Sequence, residues 1–142
     1  MALVTQKQAF TPIRLKQELY SDFFTDFVSY ETTRDIARLV NEDAVKSSIR
    51  NLLLTNRGDR LFNNSLGSDI RALLFENAGP ATEQIVSDYV KKTIENYEPR
   101  ANVLDVITNL EVDEHQAYVT IVFRVINNSE PVVLELVLNR IR

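Results

Sequence analysis

Two different periods of apolar residues divide the chain. From residue 41, NEDAVKSSIRNLLLT places Val45, Ile49, Leu52 and Leu53 at i, i+4, i+7 and i+8, the stripe of an amphipathic helix. Asn41 suits its N-cap, and Glu42 and Asp43 suit the positive end of the helix dipole. The Asn- and Gly-rich TNRGDRLFNNSLG then predicts an ordered loop. A short helix, SDIRALLFEN, follows with Ile70, Leu73 and Leu74 on its apolar face, and Ala78-Gly79-Pro80 stops it. A third helix is expected over 82–96, capped by Thr82, burying Ile85, Val86, Tyr89, Thr93 and Ile94.

Past Pro99 the period becomes two. NVLDVITNLEV sets Leu104, Val106, Thr108, Leu110 and Val112 on one face, and AYVTIVFRVI sets Val119, Ile121, Phe123 and Val125 on one face. VVLELVLNRIR alternates Val132, Leu134, Leu136 and Leu138 against Val133, Glu135, Val137 and Asn139. The short turns DEHQ and NNSEP imply an antiparallel meander. Helices first and strands last give an α+β domain over 40–142: about three helices packed on one face of a C-terminal three-stranded sheet. The last strand, apolar on both faces, offers an edge that either the chain's own N-terminal arm covers or a strand from another chain takes up.

Residues 1–39 fit neither period and read as an extended N-terminal arm. Half of the aromatic residues (Phe10, Tyr20, Phe23, Phe24, Phe27 and Tyr30) fall within its first thirty positions. The rings either pack on the chain's own domain or wrap a neighbouring subunit.

Composition removes several function classes. With 142 residues the chain builds one domain, and a net charge of -4 argues against a nucleic-acid protein. It has no cysteine and one histidine, His115, so disulfides, thiolate metal sites and paired-histidine catalysis are excluded. No apolar run approaches the ~20 residues of a membrane span. The first residues lack a basic start followed by an apolar stretch, so no signal peptide is expected and the chain is expected to be used in a cytoplasm. No cofactor is implied.

Glu98, Pro99 and Arg100 stand at the switch between the two periods. Proline drives the preceding residue out of the α region and cannot donate to a sheet ladder, so Pro99 ends a helix and precedes a strand. In an extended chain Glu98 and Arg100 point to the same side, where they pair or jointly grip a partner. An exposed pair contributes only about 0–1 kcal/mol, so fixing geometry or meeting charges on another molecule explains them better. A glycosidase would need two carboxylates, one with a raised pKa. No acid here lies in an apolar run of that kind, and a cation two residues from Glu98 favours its ionised form.

The order of SSIRNLLLTNRGDRLFNNSLGSDIRALLFEN, a helix, and then NYEPR resembles the sheath-initiator family of baseplate wedge proteins in contractile phage tails, the gpW-like or gene-product-twenty-five-like family, which has a counterpart in type VI secretion baseplates. The resemblance covers about residues 40–142, and it implies a structural role without enzymatic activity. Glu98, Pro99 and Arg100 would contact a helical core bundle made by wedge proteins. The strand carrying Val132, Leu134, Leu136 and Leu138 would take up a strand of the tail sheath protein and start the sheath. Six copies per baseplate, a place in the virion tail and assembly in the host cytoplasm would follow. The family's old lysozyme-like label gives the alternative, a cell-wall hydrolase. The resemblance does not extend to most of the aromatic arm, and leaves open whether the arm meets a wedge partner or the tail tube.

Overall fold

The computed structural model describes residues 17–29, 34–73, 80–111 and 116–139. Strands β1 (Ser21–Phe23) and β2 (Arg38–Val40) pair antiparallel as a small ribbon. Helix α1 (Glu42–Leu54), a single turn α2 (Ile70–Leu73) and the long α3 (Pro80–Tyr97) follow. Strands β3 (Ala101–Glu111), β4 (Gln116–Val125) and β5 (Pro131–Asn139) then form an antiparallel sheet in sequence order. The α+β meander expected from the periodicity is therefore present.

The core lies between the helices and one face of this sheet. Val45, Ile49 and Leu53 of α1 meet Val86, Val90 and Ile94 of α3 over Val119, Ile121 and Phe123 of β4. The stripe of α1 is the expected one. That of α3 is rotated: Ile85 is exposed and Val90 takes its place, because Val86, Val90 and Ile94 recur at i, i+4 and i+8. Pro80 opens α3, where its fixed φ and missing N–H cost nothing, so Thr82 lies inside the helix and does not cap it. Leu74, Ala78, Gly79, Val112 and His115 lie outside the described residues.

One register detail separates β3 from its expected pattern. The pairing with β4 shifts between Val103 and Asp105. A bulge adds one residue to one strand and inverts the parity beyond it. Ala101 and Val103 face the core before it, Val106 and Thr108 after it, and Leu104 is left exposed.

The described part of the arm is also structured. The ribbon packs against α1. Asn41, with φ 50° and ψ -110°, holds the N-cap position and its carbonyl accepts from the Val45 N–H at 3.1 Å, but its side chain makes no capping bond to α1. Its side-chain oxygen instead accepts from the Leu19 N–H at 2.8 Å and its amide donates to the Gln17 carbonyl at 3.1 Å, while its own N–H donates to the Tyr20 carbonyl at 2.7 Å. The predicted cap thus clamps the arm to the domain.

Candidate functional site: a charged turn and an open sheet edge

The helix-to-strand switch is a tight turn, not an extended triplet. The Glu98 N–H still donates to the Ile94 carbonyl, and the Ala101 N–H donates to the Glu98 carbonyl at 3.1 Å. That i to i+3 bond closes a β-turn with Pro99 at its second position, where a fixed negative φ is favoured. The turn brings Arg100 back onto Glu98. Its Nε donates to Oε1 at 2.6 Å and its terminal nitrogen to Oε2 at 2.7 Å, a bidentate pair. The Ser48 hydroxyl of α1 donates to Oε2 at 2.5 Å.

Glu98 is only 3% exposed. Burial pushes its carboxyl pKa up, but the bonds from Arg100 and Ser48 and the charge of Arg100 outweigh this and hold it below the usual value. Arg100 is raised mainly by its bonds to Glu98. The Arg100 side chain stays 34% exposed, and its guanidinium lies 5.5 Å from the centre of the Tyr20 ring. The three residues expected to grip a partner are therefore placed differently. Glu98 is enclosed and orients Arg100, whereas Pro99 and part of Arg100 reach solvent.

The two sheet edges differ, and the register shows how. The Ile126 N–H donates to the Arg100 carbonyl at 2.9 Å, which continues the β3–β4 ladder one residue beyond the Ala101–Val125 pair. Bonding direction alternates along an antiparallel strand. Even-numbered residues of β4 therefore face β3, and odd-numbered ones face β5. Through the unbroken β4–β5 register, Val132, Leu134, Leu136 and Leu138 direct their backbone groups at β4. Those of Val133, Glu135 and Val137 point away, to the outer edge. Pro131, opposite Arg124, falls in the outward set, so its missing N–H costs no ladder bond.

The same phase explains β3. Its outward groups after the bulge belong to Val106, Thr108 and Leu110, and α3 meets that edge. The Ser87 hydroxyl donates to the Val106 carbonyl at 2.7 Å, and the Leu110 N–H donates to Glu83 at 3.1 Å. Among the described residues no strand pairs with the outer edge of β5. One correction follows. The side chains of Val132, Leu134, Leu136 and Leu138 are buried in the chain's own core, and the backbone of the alternate residues forms the open edge. Strand alternation predicted the buried face, but only the ladder phase identifies which N–H groups are outward.

The loop between α1 and α2 is fixed at several points. The buried Ser68 hydroxyl donates to the Leu53 carbonyl at 2.6 Å, and Tyr97 donates to the Ser65 carbonyl at 2.6 Å. Arg57 lies 3.4 Å from Asp69 and 5.8 Å from the Tyr89 ring centre. On this anchored loop Leu61 and Phe62 are 88% and 103% exposed, which residue pattern alone did not single out.

A family model described as baseplate wedge protein gp25 matches residues 40–130. The chain belongs to the gp25-like baseplate wedge family. It is 30% identical over 115 residues to baseplate wedge protein gp25 of Enterobacteria phage T4, covering 81% of this chain and 86% of that one. Among solved structures, a putative tail lysozyme from Geobacter sulfurreducens superposes with a TM-score of 0.66 at 25% identity, covering 71% of this chain and 92% of that one. The anti-feeding prophage baseplate contains a chain of the same fold, with a TM-score of 0.59, 20% identity and 87% coverage of both chains. As a member of this family the chain is a structural component of a contractile tail baseplate, and it assembles with other baseplate proteins.

Proposed function

We propose that this wedge protein docks on a helical bundle of neighbouring wedge proteins through the Glu98-Pro99-Arg100 turn and starts the tail sheath by taking a sheath strand onto β5. The observation that carries the reading is the unequal pair of edges. α3 meets β3 at Val106 and Leu110, while Val133, Glu135 and Val137 direct backbone groups outward from β5. An edge of this kind is the template for strand addition. The turn supports the docking half. Glu98 fixes Arg100 in one orientation, with part of the guanidinium in solvent to meet an acid or a helix C-terminus. A six-fold tail would carry six copies, in the virion baseplate and, during assembly, in the host cytoplasm.

Two sets of variants test the two halves separately. Arg100→Ala should stay folded by circular dichroism and lose wedge partners in a pull-down from an assembling lysate; equal recovery with wild type would remove the docking role. Val133→Pro and Val137→Pro should abolish sheath growth and spare wedge binding, because each removes an outward donor only. Sheath growth at the wild-type rate would remove the strand-addition role.

The alternative is a cell-wall hydrolase, suggested by the name of the Geobacter protein. The chemistry at Glu98 opposes it, since a carboxyl held ionised by Arg100 and Ser48 is a poor general acid. Peptidoglycan release by the purified chain would favour that alternative.

A further inference from the structure

The open edge of β5 is bordered by a groove. It occupies about 680 Å³ between β5, α1 and the β1–β2 ribbon. Leu134, Leu54, Leu39 and Phe24 give it apolar walls. Its charged lining is balanced, with Asp26 and Asp43 against Lys46 and Arg50, so no net charge selects an acidic or a basic segment.

The ladder phase links groove and edge. A strand bonded to Val133, Glu135 and Val137 continues the sheet, and its alternate side chains fall on the helix-facing side beside Val132, Leu134 and Leu136. That is the side on which Leu134 lines the groove. Successive inward side chains on a strand stand ~7 Å apart. The groove is open to solvent and has room for more than one inward side chain. We infer that the strand taken up by β5 is an extended sheath segment with large aliphatic or aromatic residues at successive inward positions, which fill the groove between β5, α1 and the ribbon. This inference rests on strand addition at β5 and adds the side-chain chemistry that selects the partner.

A second copy of this chain is a poorer occupant. Antiparallel pairing of two β5 edges brings both Glu135 carboxylates onto the same stretch, and like charges facing across strands are unfavourable. It also sets a second α1 and ribbon on the face where the groove lies. The aromatic arm gains a role here, since Phe24 directly follows β1 and Leu39 lies on β2.

The test measures binding of the purified sheath protein from the same tail to the immobilised full chain. It compares wild type, Glu135→Pro, Phe24→Ala and Leu39→Ser, each checked by circular dichroism. Wild type should bind, and Glu135→Pro should not. Phe24→Ala and Leu39→Ser should each weaken binding about tenfold, the loss of one apolar contact surface. Phe24 is partly exposed beyond the end of β1, so its truncation keeps the test valid if Leu39→Ser unfolds. Groove variants that bind like wild type, beside an inactive Glu135→Pro, overturn the inference and leave strand addition standing. Wild-type binding by Glu135→Pro, or no binding by wild type, overturns strand addition and the inference with it. A stable dimer of the free chain that protects the groove also overturns it.

Discussion

Arg100 closes both of its hydrogen bonds on the carboxylate of Glu98, two residues behind it, at 2.6 and 2.7 Å. The acid is enclosed while the guanidinium keeps one side in solvent. The pair is therefore asymmetric, and the two residues should fail differently when changed.

Glu98→Gln should destabilise the domain by about 2 kcal/mol, because it removes the charge from a buried bidentate pair and sets an NH2 donor where Arg100 or Ser48 needs an acceptor oxygen. The pH dependence gives a second readout. A carboxyl whose folded pKa is lowered contributes stability that is present above its unfolded value, here 4.5, and lost as the pH falls through the folded pKa. Urea midpoints should fall for wild type as the pH drops below that value. The fall should be shallower in Glu98→Gln. Parallel curves for the two proteins would mean that Glu98 is not the linked group.

Thr108 faces the core from β3, and its hydroxyl has no hydrogen-bond partner among the described residues. Thr108→Val keeps the shape and removes the unsatisfied group. It should raise stability by about 1 kcal/mol in chemical denaturation. A loss of stability would reveal a bond to that hydroxyl.

Gly67 has φ 124°, and a Cβ there would lie 2.7 Å from the Thr55 carbonyl oxygen and 2.9 Å from the Asn56 backbone. Both neighbours are main chain and cannot yield cheaply. Gly67→Ala should cost about 3 kcal/mol by thermal unfolding. Gly58, whose Cβ would meet nothing within 4 Å, should cost less on the same change, from its positive φ alone.

Asn41→Gly accommodates the unusual backbone and deletes the side-chain clamp on residues 17 to 20. Amide exchange at Leu19 should accelerate on this change while the α1 core stays protected. Unchanged protection at Leu19 would show that the ribbon alone holds the arm.

Strand alternation on β4 and β5 and the stripe of α1 were legible because burial on one face imposes a strict period. The rotated stripe of α3 was not. Ile85 and Val90 are both apolar, and only the packing against β3 and β4 chooses between them. Leu104 looked buried because a bulge leaves no residue signature of its own. Asn41 does stand at the cap of α1, but its preference for that position is the same whether its side-chain amide serves the helix or the arm. The helix-to-strand switch was placed correctly from Pro99, but not its form: the triplet is a β-turn and not extended, and the enclosure of Glu98 depends on Ser48, fifty residues away. The open edge was expected on β5. Its outward residues follow from one backbone bond, Ile126 to Arg100, that no sequence pattern encodes.

The contrast between Ser87 and Glu83 bonded along β3 and the free groups of Val133, Glu135 and Val137 gives the sheet a direction. A meander with two open edges is a link that chains can pass through and repeat without limit. With α3 bonded along one side, the two edges of the described sheet are unequal: β3 is met by the chain's own helix, and no described strand pairs with the outer edge of β5. On the strand-addition reading proposed above, such a sheet would grow from one side only, the geometry of a first layer and not of a repeating link.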